Sequence, residues 1–205
     1  MSVKPIRFIA DEVRATLDGR KTVTRRVVKP QPMIGSTIYP NIDVAGKVCA
    51  EIWGNGVVKH IKQPYHRGDT LWVRETWRLI DFDFINTDWS ASVQYKADMA
   101  IGDRWHDLSP DERTGWRPSI HMPREAARIF LRVTGVRVER LQEVCNIDME
   151  SEGISVCLPL NLQKKQFGAL WDSTIKHADL EKYGWAANPW VWVIMFELCE
   201  PPEEV

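Results

Sequence analysis

The segment from Arg128 to Leu141 constrains the fold more than any other. Ile129, Leu131 and Val133 alternate there with Arg128, Phe130, Arg132 and Thr134, which is the period of a strand lying on a core. The alternation shifts at Gly135, where a β-bulge is expected. A second buried strand is expected over Trp190 to Leu198, its start set by Asn188-Pro189. Shorter strands are expected over Lys47 to Trp53, Val57 to Ile61, Leu71 to Thr76 after the Gly68-Asp69 turn, and Ala91 to Tyr95.

Three helices complete the pattern. Phe8 to Asp18 places Ile9, Val13 and Leu17 at i, i+4 and i+8, and Gly19 stops it. Gln142 to Gly153 reads as a short helix closed by Gly153. Residues 163 to 176 carry Phe167, Leu170 and Trp171 as an apolar stripe. Strands and helices that do not alternate strictly give an α+β class.

The chain has 205 residues, of which 44% are hydrophobic, enough for one full core. A single domain over 1–205 is expected, with insertions at about 30–66 and 78–118, where Pro, Gly, Asn and Asp accumulate without period. The net charge of −1 excludes a global positive field, so any nucleic-acid contact must use a local share of the 27 basic residues. The four cysteines form no Cys-x-x-Cys pair. That argues against a zinc site or disulfide framework, and no other metal or cofactor is implied. No apolar run approaches the ~18 residues of a membrane span, and the N-terminus lacks a secretory pattern, so a cytoplasmic protein without membrane partners is expected. Ten tryptophans are present, most of them suited to burial.

The chemistry concentrates in Gly19-Arg20-Lys21-Thr22-Val23-Thr24-Arg25-Arg26. It offers a potential base, a hydroxyl and two guanidinium groups within a few residues. On a regular strand Lys21 and Thr24 point to opposite faces, so they meet only if the chain turns or bulges between them. Glu152 lies in the last turn of its helix, where the macrodipole disfavours an acid unless another partner holds it. A second constellation is Trp116 followed by Ser119, His121 and Arg124, a flat ring with a hydroxyl, an imidazole and a guanidinium. Glu75 and Trp77 end the strand at 71–76 and offer an acceptor and a stacking face.

These pieces, Gly19 to Arg26, Arg67 to Trp77, Trp116 to Arg128, Val136 to Gly153 and Asn188 to Val193, resemble the ASCH domain of the PUA-like superfamily, in the larger form commonly encoded by bacteriophages and prophages. The resemblance implies a PUA-like mixed β-barrel with flanking helices and long loop insertions. It also implies binding of a nucleoside, nucleotide or single-stranded RNA. Small bacterial members of the family include an amidohydrolase that deacetylates N4-acetylcytidine. Carried over, its lysine falls on Lys21, its threonine on Thr24 and its glutamate on Glu152, with Glu150 as the reserve one turn away. Thr24 would attack the amide carbonyl, Lys21 would take the proton and Glu152 would relay it to the leaving N4. Backbone amides or Ser119 would stabilise the oxyanion. Arg25, Arg26, Glu75, Trp77, Trp116, Ser119, His121 and Arg124 would bind substrate. Two other readings fit the same residues: a Lys21–Glu152 ion pair tying the helix to the sheet, and a Glu75–Arg26 bridge. Function stays open between a hydrolase and a non-catalytic RNA-binding or ribonuclease-like accessory protein.

Overall fold

The computed structural model describes residues 2–32, 37–42, 48–54, 57–80, 92–99, 115–154 and 157–202. Its strands are β1 (Val3–Arg7), β2 (Val23–Val27), β3 (Thr37–Ile42), β4 (Val48–Gly54), β5 (Val57–Lys62), β6 (Thr70–Arg74), β7 (Trp77–Ile80), β8 (Ser92–Tyr95), β9 (Phe130–Arg140) and β10 (Trp190–Cys199). Its helices are α1 (Ala10–Leu17), α2 (Asn146–Ser151), α3 (Leu160–Thr174) and α4 (Leu180–Tyr183), with short 3-10 turns between elements. The architecture is α+β. The main sheet has the order β1-β6-β9-β10-β2, while β3-β4-β5 and β7-β8 form separate sheets.

The two long strands meet as expected. β9 and β10 pair antiparallel, and the register breaks where Met195 faces Gly135 while Phe196 faces Val133, leaving Thr134 as the extra residue. Because one residue is inserted, Leu131 and Val133 before it and Val136 and Val138 after it pack into the same core. That core also takes Ile6, Phe8, Leu71 and Ile194. Val191 and Val193, on the opposite face of β10, pack with Leu141, Met149, Phe167 and Trp171 into a second core under α2 and α3. β10 is thus buried on both faces, which accounts for its unbroken apolar run.

Two expectations need correction. The apolar stripe of α1 does not form: Val13 is fully buried, but Ile9 and Leu17 are exposed. Ile9 is the extended residue before the helix, outside its period, and Leu17 is its last residue, at the exposed end. Phe130 lies on the face away from the first core, as the alternation expects, and is buried there opposite Trp72. The barrel does not close either. Among the described residues β1 and β2, the two edges of the main sheet, share no ladder. Pro5, in the middle of β1, has no N–H to give and suits an edge strand. Instead the Arg26 side chain crosses the seam and donates from Nη2 to the Arg7 carbonyl at 2.7 Å.

Candidate functional site

The site begins where α1 ends. Gly19 takes a φ of +73°, a left-handed turn that lets the chain double back. The Lys21 N–H then reaches the Ala15 carbonyl at 2.8 Å, and Lys21 forms an isolated antiparallel bridge with Glu152. The Thr22 N–H donates to the Ser151 carbonyl at 2.8 Å. This seats the motif on the end of α2. Gly153 permits the approach, since it has a φ of +91° and a Cβ there would stand 2.9 Å from the Ala15 methyl.

Residues 131 apart in sequence are thereby joined: Lys21 Nζ donates to Glu152 Oε2 at 2.5 Å, with Glu12 Oε1 at 3.4 Å. Lys21 is 2% exposed and Glu152 7%. Glu150, the reserve, is exposed and does not face Lys21. Arg25 is the second cation on Glu152, donating from Nη1 to Oε1 at 2.9 Å. It also donates to Glu139 Oε1 from Nη2 at 2.7 Å and to Asp148 Oδ2 at 2.9 Å. Arg137 closes the outside of the network through Glu139 and Asp148. Burial alone would push the Arg25 guanidinium down, but Glu152 and Glu139 more than reverse this and hold it above its ordinary value. The two cations offset the unfavourable place of Glu152 at the end of α2.

Thr24 is 1% exposed and sits in β2 on the face of the first core, opposite Ile194. Its hydroxyl accepts from Arg26 Nη1 at 3.0 Å, and no hydrogen bond joins it to Lys21. Arg26 also donates to the Arg25 carbonyl at 2.9 Å. Lys21 and Arg26 nevertheless flank one ring: Nζ lies 5.6 Å and the Arg26 guanidinium carbon 5.9 Å from the Phe8 centroid.

The remaining candidates gather elsewhere, around the buried Met122. Glu75 is 2% exposed, and Arg128 holds both of its oxygens, at 2.9 and 3.1 Å. The bridge to Arg26 therefore does not form, and both oxygens of Glu75 already accept from Arg128. Burial raises its carboxyl pKa above the ordinary value, against the opposing pull of Arg128. Trp77 is 3% exposed and bridges Arg117, whose guanidinium lies 5.1 Å from its ring. Arg78 covers Trp116 in the same way at 4.9 Å. Both indole N–H groups are buried without a partner. These faces are occupied, so stacking of a base on them requires the arginines to leave. Ser119 and His121 lie in one 3-10 turn and Arg124 in the next, with His121 and Arg124 exposed. Among the described residues no hydrogen bond or ion pair joins this group to Lys21, Thr24, Arg25, Arg26 or Glu152.

Sequence reasoning missed Glu12, Glu139, Asp148 and Phe8. Two signals pointed to them: Asp148 stands four residues before Glu152 on one helix, and Glu139 two after Arg137 on one strand. A cleft of about 590 Å³ opens over the motif, lined by Gly19, Arg20, Thr22, Glu150, Ser151 and Gly153. Among the described residues no group of three His, Cys, Asp or Glu assembles to hold a metal ion, and no helix is long and apolar enough to cross a membrane.

No family model matches the chain, and no curated protein does. Among solved structures, an ASCH domain from Lactobacillus crispatus JV V101 is similar over 96% of this chain and 79% of that chain, at 12% identity and a TM-score of 0.39.

Proposed function

We propose that this chain is a single ASCH-type, PUA-like domain that binds RNA or a nucleoside at the seam between β1 and β2. The observation that carries the reading is Arg26. Its guanidinium spans the seam on carbonyl and hydroxyl acceptors, beside the Phe8 ring, with no carboxylate partner. A half-buried cation that meets no acid among the described residues suits an anionic ligand such as a phosphate. Binding asks no group of the Lys21–Glu152–Arg25 cluster to change protonation, and there the cluster acts as the anchor of the motif.

A second reading is hydrolysis of an N4-acylated cytidine, favoured by the meeting of Lys21 with Glu152. Thr24 accepts from Arg26, so its own proton is free to leave and the cation stands beside the oxygen that attacks. The step then requires Lys21 to take that proton while it faces Glu12 and Glu152. Binding is the better supported of the two because it omits this requirement.

Fluorescence anisotropy with a labelled single-stranded RNA, together with incubation with N4-acetylcytidine, tests both. The binding reading expects an affinity that falls steeply with salt and no turnover. Turnover that disappears in Lys21→Ala replaces it with the second reading. Neither binding nor turnover overturns both.

A further inference from the structure

β1 and β6 run parallel with Arg7 opposite Arg74. Register partners on neighbouring strands about 4.8 Å apart project to the same face of the sheet, so the two arginine side chains leave one face from adjacent positions. Like charges placed this way destabilise a sheet. Among the described residues neither arginine forms an ion pair, and several acids are engaged elsewhere. Asp69 is engaged by Lys4 at 2.7 Å, Glu75 by Arg128, and Glu12 with Glu152 by Lys21.

Arg74 is also held in place. Arg74 lies with its guanidinium carbon 4.5 Å from the centroid of Trp72, two residues earlier on the same face and 6% exposed. Arg74 Nε is buried and has no acceptor among the described residues. Arg7 is exposed, and the carbonyl of its own residue accepts from Arg26. Among the described residues Arg7 and Arg74 therefore stand next to each other at the end of β1 without an acidic partner, and Arg26 holds the backbone of the same strand end through the Arg7 carbonyl. A planar guanidinium matches phosphate in a bidentate fork, and two of them in register match one phosphate or two successive ones.

We infer that Arg7 and Arg74 form a phosphate-binding pair at the β1 edge, and that its ligand is the sugar-phosphate backbone of single-stranded RNA. The inference rests on the nucleic-acid reading of the seam and adds the residues that hold the backbone.

The test measures the binding of a labelled single-stranded RNA to the full chain across a salt series, for wild type, Arg7→Gln and Arg7→Gln/Arg74→Gln. Each phosphate contact contributes about 0.7 to the slope of log affinity against log salt for single strands, so the double variant loses about 1.4 and the single variant about half of that. Thermal unfolding confirms that each variant is folded, and Arg7→Gln, on an exposed side chain, is the one that keeps the test valid if the double variant is not. Binding by wild type with an unchanged slope in Arg7→Gln overturns the pair and leaves the seam reading standing. No RNA binding by wild type overturns both. Displacement of the RNA by polyglutamate at equal charge concentration overturns the phosphate assignment in favour of an acidic protein partner.

Discussion

Replacing Glu152 with glutamine removes the carboxylate shared by Lys21 and Arg25, each 2% exposed. Deleting one partner of a buried ion pair costs roughly 3–5 kcal/mol, because a charge is left without compensation. Here Arg25 keeps Glu139 and Asp148, and Lys21 keeps Glu12. The loss therefore falls at the low end, about 3 kcal/mol. For a chain of this length each kcal/mol moves Tm by about 2–4 °C, which gives a fall of about 6–12 °C. Lys21→Met has a similar effect, since Glu152 retains Arg25 and Glu12 retains the Ile9 N–H. Replacing both at once, Lys21→Met with Glu152→Met, puts apolar volume where the pair was, a change that is often neutral. The double variant is thus less destabilised than the sum of its parts by about 2 kcal/mol or more. Urea unfolding with an unchanged slope measures all three. Losses that simply add would refute the reasoning, because they would show that the two side chains do not sense each other.

Further outcomes follow from other positions. Burial raises the Asp69 carboxyl, but hydrogen bonds from Lys4, Ser2 and the His66 N–H outweigh it and bring it down to about 2. A depressed carboxylate stabilises the fold above its unfolded value and loses that contribution as pH falls toward the folded one. Asp69→Asn accordingly costs about 2 kcal/mol at neutral pH and flattens the acid limb between about pH 4 and pH 2 in denaturation at stepped pH. Arg128→Met leaves Glu75 buried without its cation, at a cost of about 3 kcal/mol at neutral pH. Because the folded carboxyl is raised, it binds a proton that the unfolded chain does not, so stability returns as pH falls from neutral toward the ordinary glutamate range, read by the same assay. Gly153→Ala combines a positive φ with a contact of 2.9 Å to Ala15, whereas Gly19→Ala meets nothing within 4 Å. The second costs about 1–2 kcal/mol from backbone strain alone and the first more, a ranking that thermal unfolding decides.

What was legible in the sequence was whatever a single local pattern controls. The alternation from Ile129 to Val133 and its shift near Gly135 located β9 and its bulge, and Gly19 located the end of α1. Partners were not legible where they depend on which elements meet. Glu75 pairs with Arg128 rather than Arg26, because β6 neighbours β9 while β2 lies across the sheet behind β10. Lys21 and Glu152 could be set side by side only through the family resemblance, since no pattern spans the 131 residues between them. The anchoring of Arg25 by Glu139 and Asp148 escaped for the same reason, although each acid stood at the right spacing on its own element. Closure of the sheet was the hardest feature to read, because one proline and one arginine side chain decide it.

Thr134 has a consequence for how this protein can change over time. Deleting that single amino acid would turn the remainder of β9 over, sending Arg137 and Glu139 into apolar surroundings and presenting Val136 and Val138 to Arg25. The excursions between strands can grow or shrink at small entropic cost, whereas the length of this strand is fixed to the residue, and insertions or deletions in homologous chains will accumulate everywhere except there.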